Sequence, residues 1–111
     1  MIEITVREFL LKKLSVPVFM EEPDEIPERY VILEKTGGGK SNGLKSATIA
    51  IQSYGTSLHD AAMLNEDVKE ALEDIDNQDP ISSAELNSDY NFTDTETHRY
   101  RYQAVYDFIY Y

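Results

Sequence analysis

Residues 29–54 read RYVILEKTGGGKSNGLKSATIAIQSY, and the fold turns on what the glycines in the middle are doing. Gly39-Lys40-Ser41 matches the end of a phosphate-binding loop, G-x-x-x-x-G-K-[ST], in which a strand leads through glycines into a helix. That reading would make the chain a parallel α/β nucleotide-binding protein. The opening position, however, is Glu34 rather than glycine. The segment after the lysine is also no helix. In LKSATIAIQSY, Leu44 to Tyr54, the residues Ala47, Ile49 and Ile51 alternate with Thr48, Ala50 and Gln52, the period of a half-buried strand. Upstream, RYVILEKT (Arg29 to Thr36) is apolar on both faces, as a central strand would be. Two strands joined by a short polar connection form a hairpin, and the sheet is antiparallel here. Gly37, Gly38, Gly39, Lys40, Ser41, Asn42 and Gly43 read as its mobile tip, a basic contact arm carrying Lys40 with Lys45 just beyond.

The flanking segments supply helices. N-terminal to the hairpin, Thr5 to Glu8 has the T-x-x-E form of a capping box, and Val6, Phe9, Leu10 and Leu14 come next at helical spacing. The expectation is a helix from about Thr5 to Leu14, ended by Pro17 and succeeded by a short strand at Val18 to Met20. EEPDEIPE, Glu21 to Glu28, suits a solvated loop, and its Glu21, Glu22, Asp24 and Glu25 form a second candidate contact region. C-terminal to the hairpin, Ser57 and Asp60 cap a helix whose apolar stripe is Leu58, Ala61, Leu64, Val68, Leu72 and Ile75. The last third alternates twice about a turn at Asp94 to Thr97. Ala84, Leu86, Tyr90 and Phe92 are expected on one face of the first strand. Tyr100 to Phe108 then form the core side of an edge strand. The predicted architecture is α+β in the order α-β-β-β-α-β-β. Two helices cover one face of a mostly antiparallel sheet, in a single domain over residues 1–111.

Composition narrows the chemistry. Ten basic residues against 21 acidic give a net charge of −11, a surface that repels phosphate backbones and anionic lipid. The chain has no cysteine, which removes thiol catalysis and cysteine-based zinc sites. His59 and His98 lack the i, i+4 partner of a zinc helix, and no serine sits in a G-x-S-x-G elbow. Asp74 to Glu85 aligns loosely with a calcium loop through Asp74, Asp76 and Glu85, but Gln78, Asp79 and Pro80 occupy positions that motif needs otherwise. An acidic helix end leading into a turn explains it better. The sequence offers no catalytic constellation, and no cofactor or metal is expected.

Across most of its length the chain resembles a set of small proteins of long-tailed phages and Gram-positive prophages. The resemblance rests on LSVPVFMEEP, YVILEKTG, SATIAIQSYG with the LNEDVKEAL helix, and LNSDYNFTDTETHRYRYQAVYDF. The group is similar to the tail terminator and tail-completion proteins. That resemblance implies an α/β sandwich with helices on one sheet face. It also implies a virion protein forming a hexameric ring, which caps the tail tube and docks onto the head-side connector. The partners it implies are further copies of itself, the major tail tube protein and the connector proteins, with DNA passing but not specifically bound. Head closure, one ring away in the same neck, is the neighbouring alternative. A small acidic DNA mimic that blocks a host nuclease is the rival suggested by charge alone.

Overall fold

In the computed structural model, which describes residues 1–111, helix α1 (Ile2–Lys13) leads into strands β1 (Val18–Phe19), β2 (Tyr30–Ser41) and β3 (Leu44–Tyr54). Helix α2 (Leu58–Leu72), a short 3₁₀ turn (Ile75–Asn77), and strands β4 (Ile81–Asn91) and β5 (Arg101–Tyr110) complete the chain. This is the α-β-β-β-α-β-β order expected of the sequence. The five strands lie in the order β1-β2-β3-β5-β4, parallel at β1–β2 and antiparallel elsewhere.

Both helices cover the same face. Val31 and Leu33 of β2, Ala47, Ile49 and Ile51 of β3, and Ala104, Tyr106 and Phe108 of β5 point one way. They form one cluster with Val6, Phe9 and Leu10 of α1 and Leu64, Val68 and Leu72 of α2. Each fully buried aliphatic or aromatic side chain in it contributes ~1.5–3 kcal/mol of transfer free energy. Ser57 caps α2 as expected, its Oγ accepting from the Asp60 N–H at 3.0 Å. The Asp60 carboxylate in turn accepts from the Thr56 N–H at 3.0 Å, which holds its pKa below the usual carboxylate range. In the expected stripe of α2, Leu58 is exposed instead, and Asn65 is buried beside the apolar residues.

Four further expectations are corrected. The capping box at Thr5 does not form: α1 begins at Ile2, and Thr5 Oγ1 donates back to the Met1 carbonyl at 3.3 Å. Burial of Ile2 in the core outweighs a local cap that would leave it outside. The glycine run is strand and not a loose loop. Gly37, Gly38 and Gly39 pair with Thr48, Ala47 and Ser46, and the turn is only Asn42-Gly43. These two residues have φ of 52° and 82°, the left-handed pair that a two-residue hairpin turn requires.

The remaining two corrections concern the C-terminal hairpin. Leu86 pairs with Tyr106 but Ser88 with Val105, so one extra residue bulges out at Asn87. A bulge inverts the alternation beyond it. Ala84 and Leu86 therefore face the helices, whereas Tyr90 and Phe92 lie on the opposite, open face. Asp89 instead turns toward α2, where Asn65 and Lys69 donate to it. Finally, β5 is interior and β4 is the edge. Tyr100 to Phe108 alternate as expected, but between two neighbours.

Candidate functional site

The two candidate contact regions sit at opposite ends of β2. At one end the sheet outgrows its helices. Every residue from Glu34 to Ser46 is exposed, while the first four residues of β2 and the last eight of β3 are almost wholly buried. The result is a two-stranded arm, and the molecule measures 44 × 25 × 25 Å. β1 pairs only with Val31 and Ile32, so the outer edge of β2 from Leu33 to Ser41 has no neighbour. The bulge between Lys35 and Gly37 lies in this stretch. A β-carbon on Gly37 would meet nothing within 4 Å, whereas one on Gly38 would come within 3.0 Å of the Ser46 carbonyl oxygen. The arm carries Lys35, Lys40 and Lys45 against Glu34 alone, a net +2, which leaves −13 on the rest of a chain whose total is −11.

At the other end, the acidic loop is less free than its composition suggests. Glu22 pairs with the Arg99 guanidinium, which also donates to the Tyr30 hydroxyl. This carboxylate raises the guanidinium pKa further, and burial pushes the Tyr30 phenol up. Glu21 and Asp24 line a cleft of about 560 Å³ with Ile4, Arg7, Phe19, Met20 and Pro23. The Arg7 guanidinium donates to the Val18 carbonyl at 2.6 Å and so ties α1 to β1. Glu25 is exposed.

The open face of the sheet holds side chains that reading one strand at a time did not bring together. Tyr30 and Tyr54 stack in parallel, with centroids 4.4 Å apart and planes 4° from each other. Arg99 lies 4.9 Å over the Tyr54 ring, and Arg101 donates to the Tyr54 hydroxyl at 2.9 Å while covering the Phe92 ring at 4.4 Å. Next to them the Gln52 amide donates to Gln103 Oε1 at 2.9 Å, and the Gln103 amide donates to the Tyr90 hydroxyl at 2.6 Å. Further along, Asp107 accepts from Thr48 Oγ1 at 2.7 Å and Asn87 at 3.0 Å, donors that lower its pKa. The signal for these pairs was strand register: Gln52 faces Gln103 and Thr48 faces Asp107 across β3 and β5. The network joins four strands, β2 to β5, and leaves its members satisfied, the pattern of a stiffened surface.

The remaining sequence candidates are dispersed. His59 stands exposed in the first turn of α2, and His98 is exposed at φ 55° between β4 and β5. Asp74 precedes the 3₁₀ turn and pairs with Lys13 at 3.3 Å, while Glu85 lies within β4. A cleft of about 760 Å³ between the C-terminal ends of the two helices mixes Lys13 and Arg29 with Asp67, Glu70, Glu73 and Asp74. No helix is long and apolar enough to cross a membrane. No protein-family model matches the chain, and no curated protein matches it in sequence.

Proposed function

We propose that the chain is a structural subunit of a long-tailed phage neck, a tail terminator or tail-completion protein that acts by geometry. Copies close into a ring, one side of which caps the tail tube and stops its growth while the other accepts the head connector. The observation that carries this reading is the arm: an exposed, two-stranded, basic projection with an unpaired edge on an otherwise acidic body. Unpaired strand edges invite pairing with another chain, and a lone small domain gains buried surface by closing with its neighbours. A net charge of −11 suits a conduit wall past which DNA slides without adhering. The stiffened open face gives such a ring a surface of fixed shape. No bond is made or broken in this role, and no cofactor enters it.

The test is electron microscopy of particles assembled without the protein. The expected result is tails of irregular or excess length, unattached to heads. Tails of correct length on heads that lose their DNA would move the subunit to the head-closure ring. Normal particles of full length joined to heads would end the reading. Competition with DNA for a host nuclease would instead favour the acidic-mimic alternative.

A further inference from the structure

We propose that the arm of one copy adds as a strand to the β4 edge of a second copy, so that neighbouring sheets become one continuous antiparallel sheet. This rests on the self-association in the proposed function and names the surfaces that carry it.

Register fixes which backbone groups are available. The Val31 N–H donates outward to the Pro17 carbonyl, so Leu33 and Lys35, in the same phase, present their N–H and C=O to the side of β2 that is free beyond β1. The bulge at Thr36 shifts that phase, and the tight turn requires Ser41 and Leu44 to bond each other. Gly38 and Lys40 are then the outward residues of the arm. On the far edge, the Phe92 N–H donates inward to the Arg101 carbonyl. Counting back through the register, Asn91, Asp89, Leu86 and Ala84 face outward from β4. Both edges thus hold unmatched donors and acceptors over comparable lengths. Leu33 to Ser41 spans about 30 Å at ~3.3 Å per residue, and the eleven residues of β4 span slightly more.

Direction and charge agree. β2 is antiparallel to β3, β3 to β5, and β5 to β4, so β4 runs opposite to β2. Copies placed head to tail therefore set β2 against the neighbour's β4 as an antiparallel pair, with all helices on one side. Such a contact uses two different patches and leads to a ring or a helical array rather than a closed dimer. The outward residues of both strands have side chains on the helix-covered face, where Lys35 and Lys40 of the arm would meet Asp89 of β4. β4 holds Glu85 and Asp89 and no basic residue. Leu86, 44% exposed on that edge, would be covered by the arm.

The natural absence of cysteine makes the test clean. Chains carrying Lys40→Cys are mixed at millimolar concentration with chains carrying Leu86→Cys, Asp89→Cys or Asn91→Cys, then mildly oxidised. An Asp67→Cys chain, altered on the side of α2 that lines the cleft against α1, is the control. The expected result is mixed disulfide dimers with at least one β4 position, well above the control. Separately, Lys40→Pro removes one outward N–H on an edge where proline is tolerated. It should raise the self-dissociation constant about tenfold relative to Lys40→Ala, while the thermal midpoint stays near that of the parent. Crosslinking at control level for all three β4 positions overturns the inference. So does self-association indifferent to Lys40→Pro in a folded variant. The particle experiment is independent, so a failed edge leaves the ring reading to stand or fall by itself.

Discussion

Replacing Gly55 with alanine isolates one steric fact. Gly55 comes directly after β3 and lies against the start of α2; its N–H donates to the Tyr100 carbonyl at 3.1 Å. A β-carbon there would sit 2.5 Å from the Ala61 nitrogen and 2.8 Å from the Asp60 carbonyl carbon, both backbone atoms. Restoring ordinary contact requires the first turn of α2 to retreat by nearly 1 Å, a distance at which packing contacts are lost. That turn is anchored by Ala61 and Leu64, both fully buried, and by the Ser57 and Asp60 caps. Overpacking of this kind costs ~1–3 kcal/mol. With an unfolding entropy of ~2.1 cal/mol/K per residue, a domain of this size loses about 4 °C of midpoint per kcal/mol. Gly55→Ala should therefore lower Tm by ~4–13 °C in a circular-dichroism melt. Gly37→Ala is the control, because it meets nothing within 4 Å and a strand interior favours alanine over glycine. It should leave Tm unchanged or slightly raised. A Gly55→Ala variant that melts with the parent refutes the steric argument, as does a Gly37→Ala variant that falls equally far.

Ser57→Ala deletes the acceptor for the Asp60 N–H and should cost ~1 kcal/mol, about 4 °C, in the same melt. Asp107 accepts two hydrogen bonds that lower its folded pKa, so its contribution to stability is complete above its unfolded pKa of ~4 and disappears as pH falls through the folded value. The stability difference between the parent and Asp107→Asn, from urea unfolding at several pH values, should be flat above about pH 5 and shrink below about pH 4. A difference that instead grows on acidification would reverse the assigned direction. Gly43→Val forces a β-branched residue to φ 82°, but the turn lies beyond the core. Its effect should appear as faster amide exchange across Gly39 to Ser46, with Tm nearly unchanged.

Element type and order were legible because periodicity survives in the residues that meet the core. Ala47, Ile49 and Ile51 announce β3, and Leu64, Val68 and Leu72 announce α2. The misreadings occurred where a local signal competed with tertiary structure. Thr5 and Glu8 form a valid capping motif, yet burial of Ile2 and Val6 draws the helix to the chain's start. Three glycines signal a loop by propensity alone. Here the ladder to Ser46, Ala47 and Thr48 holds them as strand, and Asn42-Gly43 supplies the turn. Asn87 gives no cue that it bulges, so the faces of Tyr90 and Phe92 could not be assigned from alternation. The acidic loop was visible by composition, but Glu22 is committed to Arg99, a residue far away in sequence. The hairpin was expected at this place, and the length of its exposed strands was underestimated.

No side chain between Glu34 and Ser46 helps to fill the interior. How far the tip reaches is thus decoupled from how well the domain holds together. Two residues added to each strand would carry Asn42-Gly43 ~7 Å further and keep every core side chain in place. Two removed would shorten the span by as much. One unchanged body can in this way carry projections of different reach.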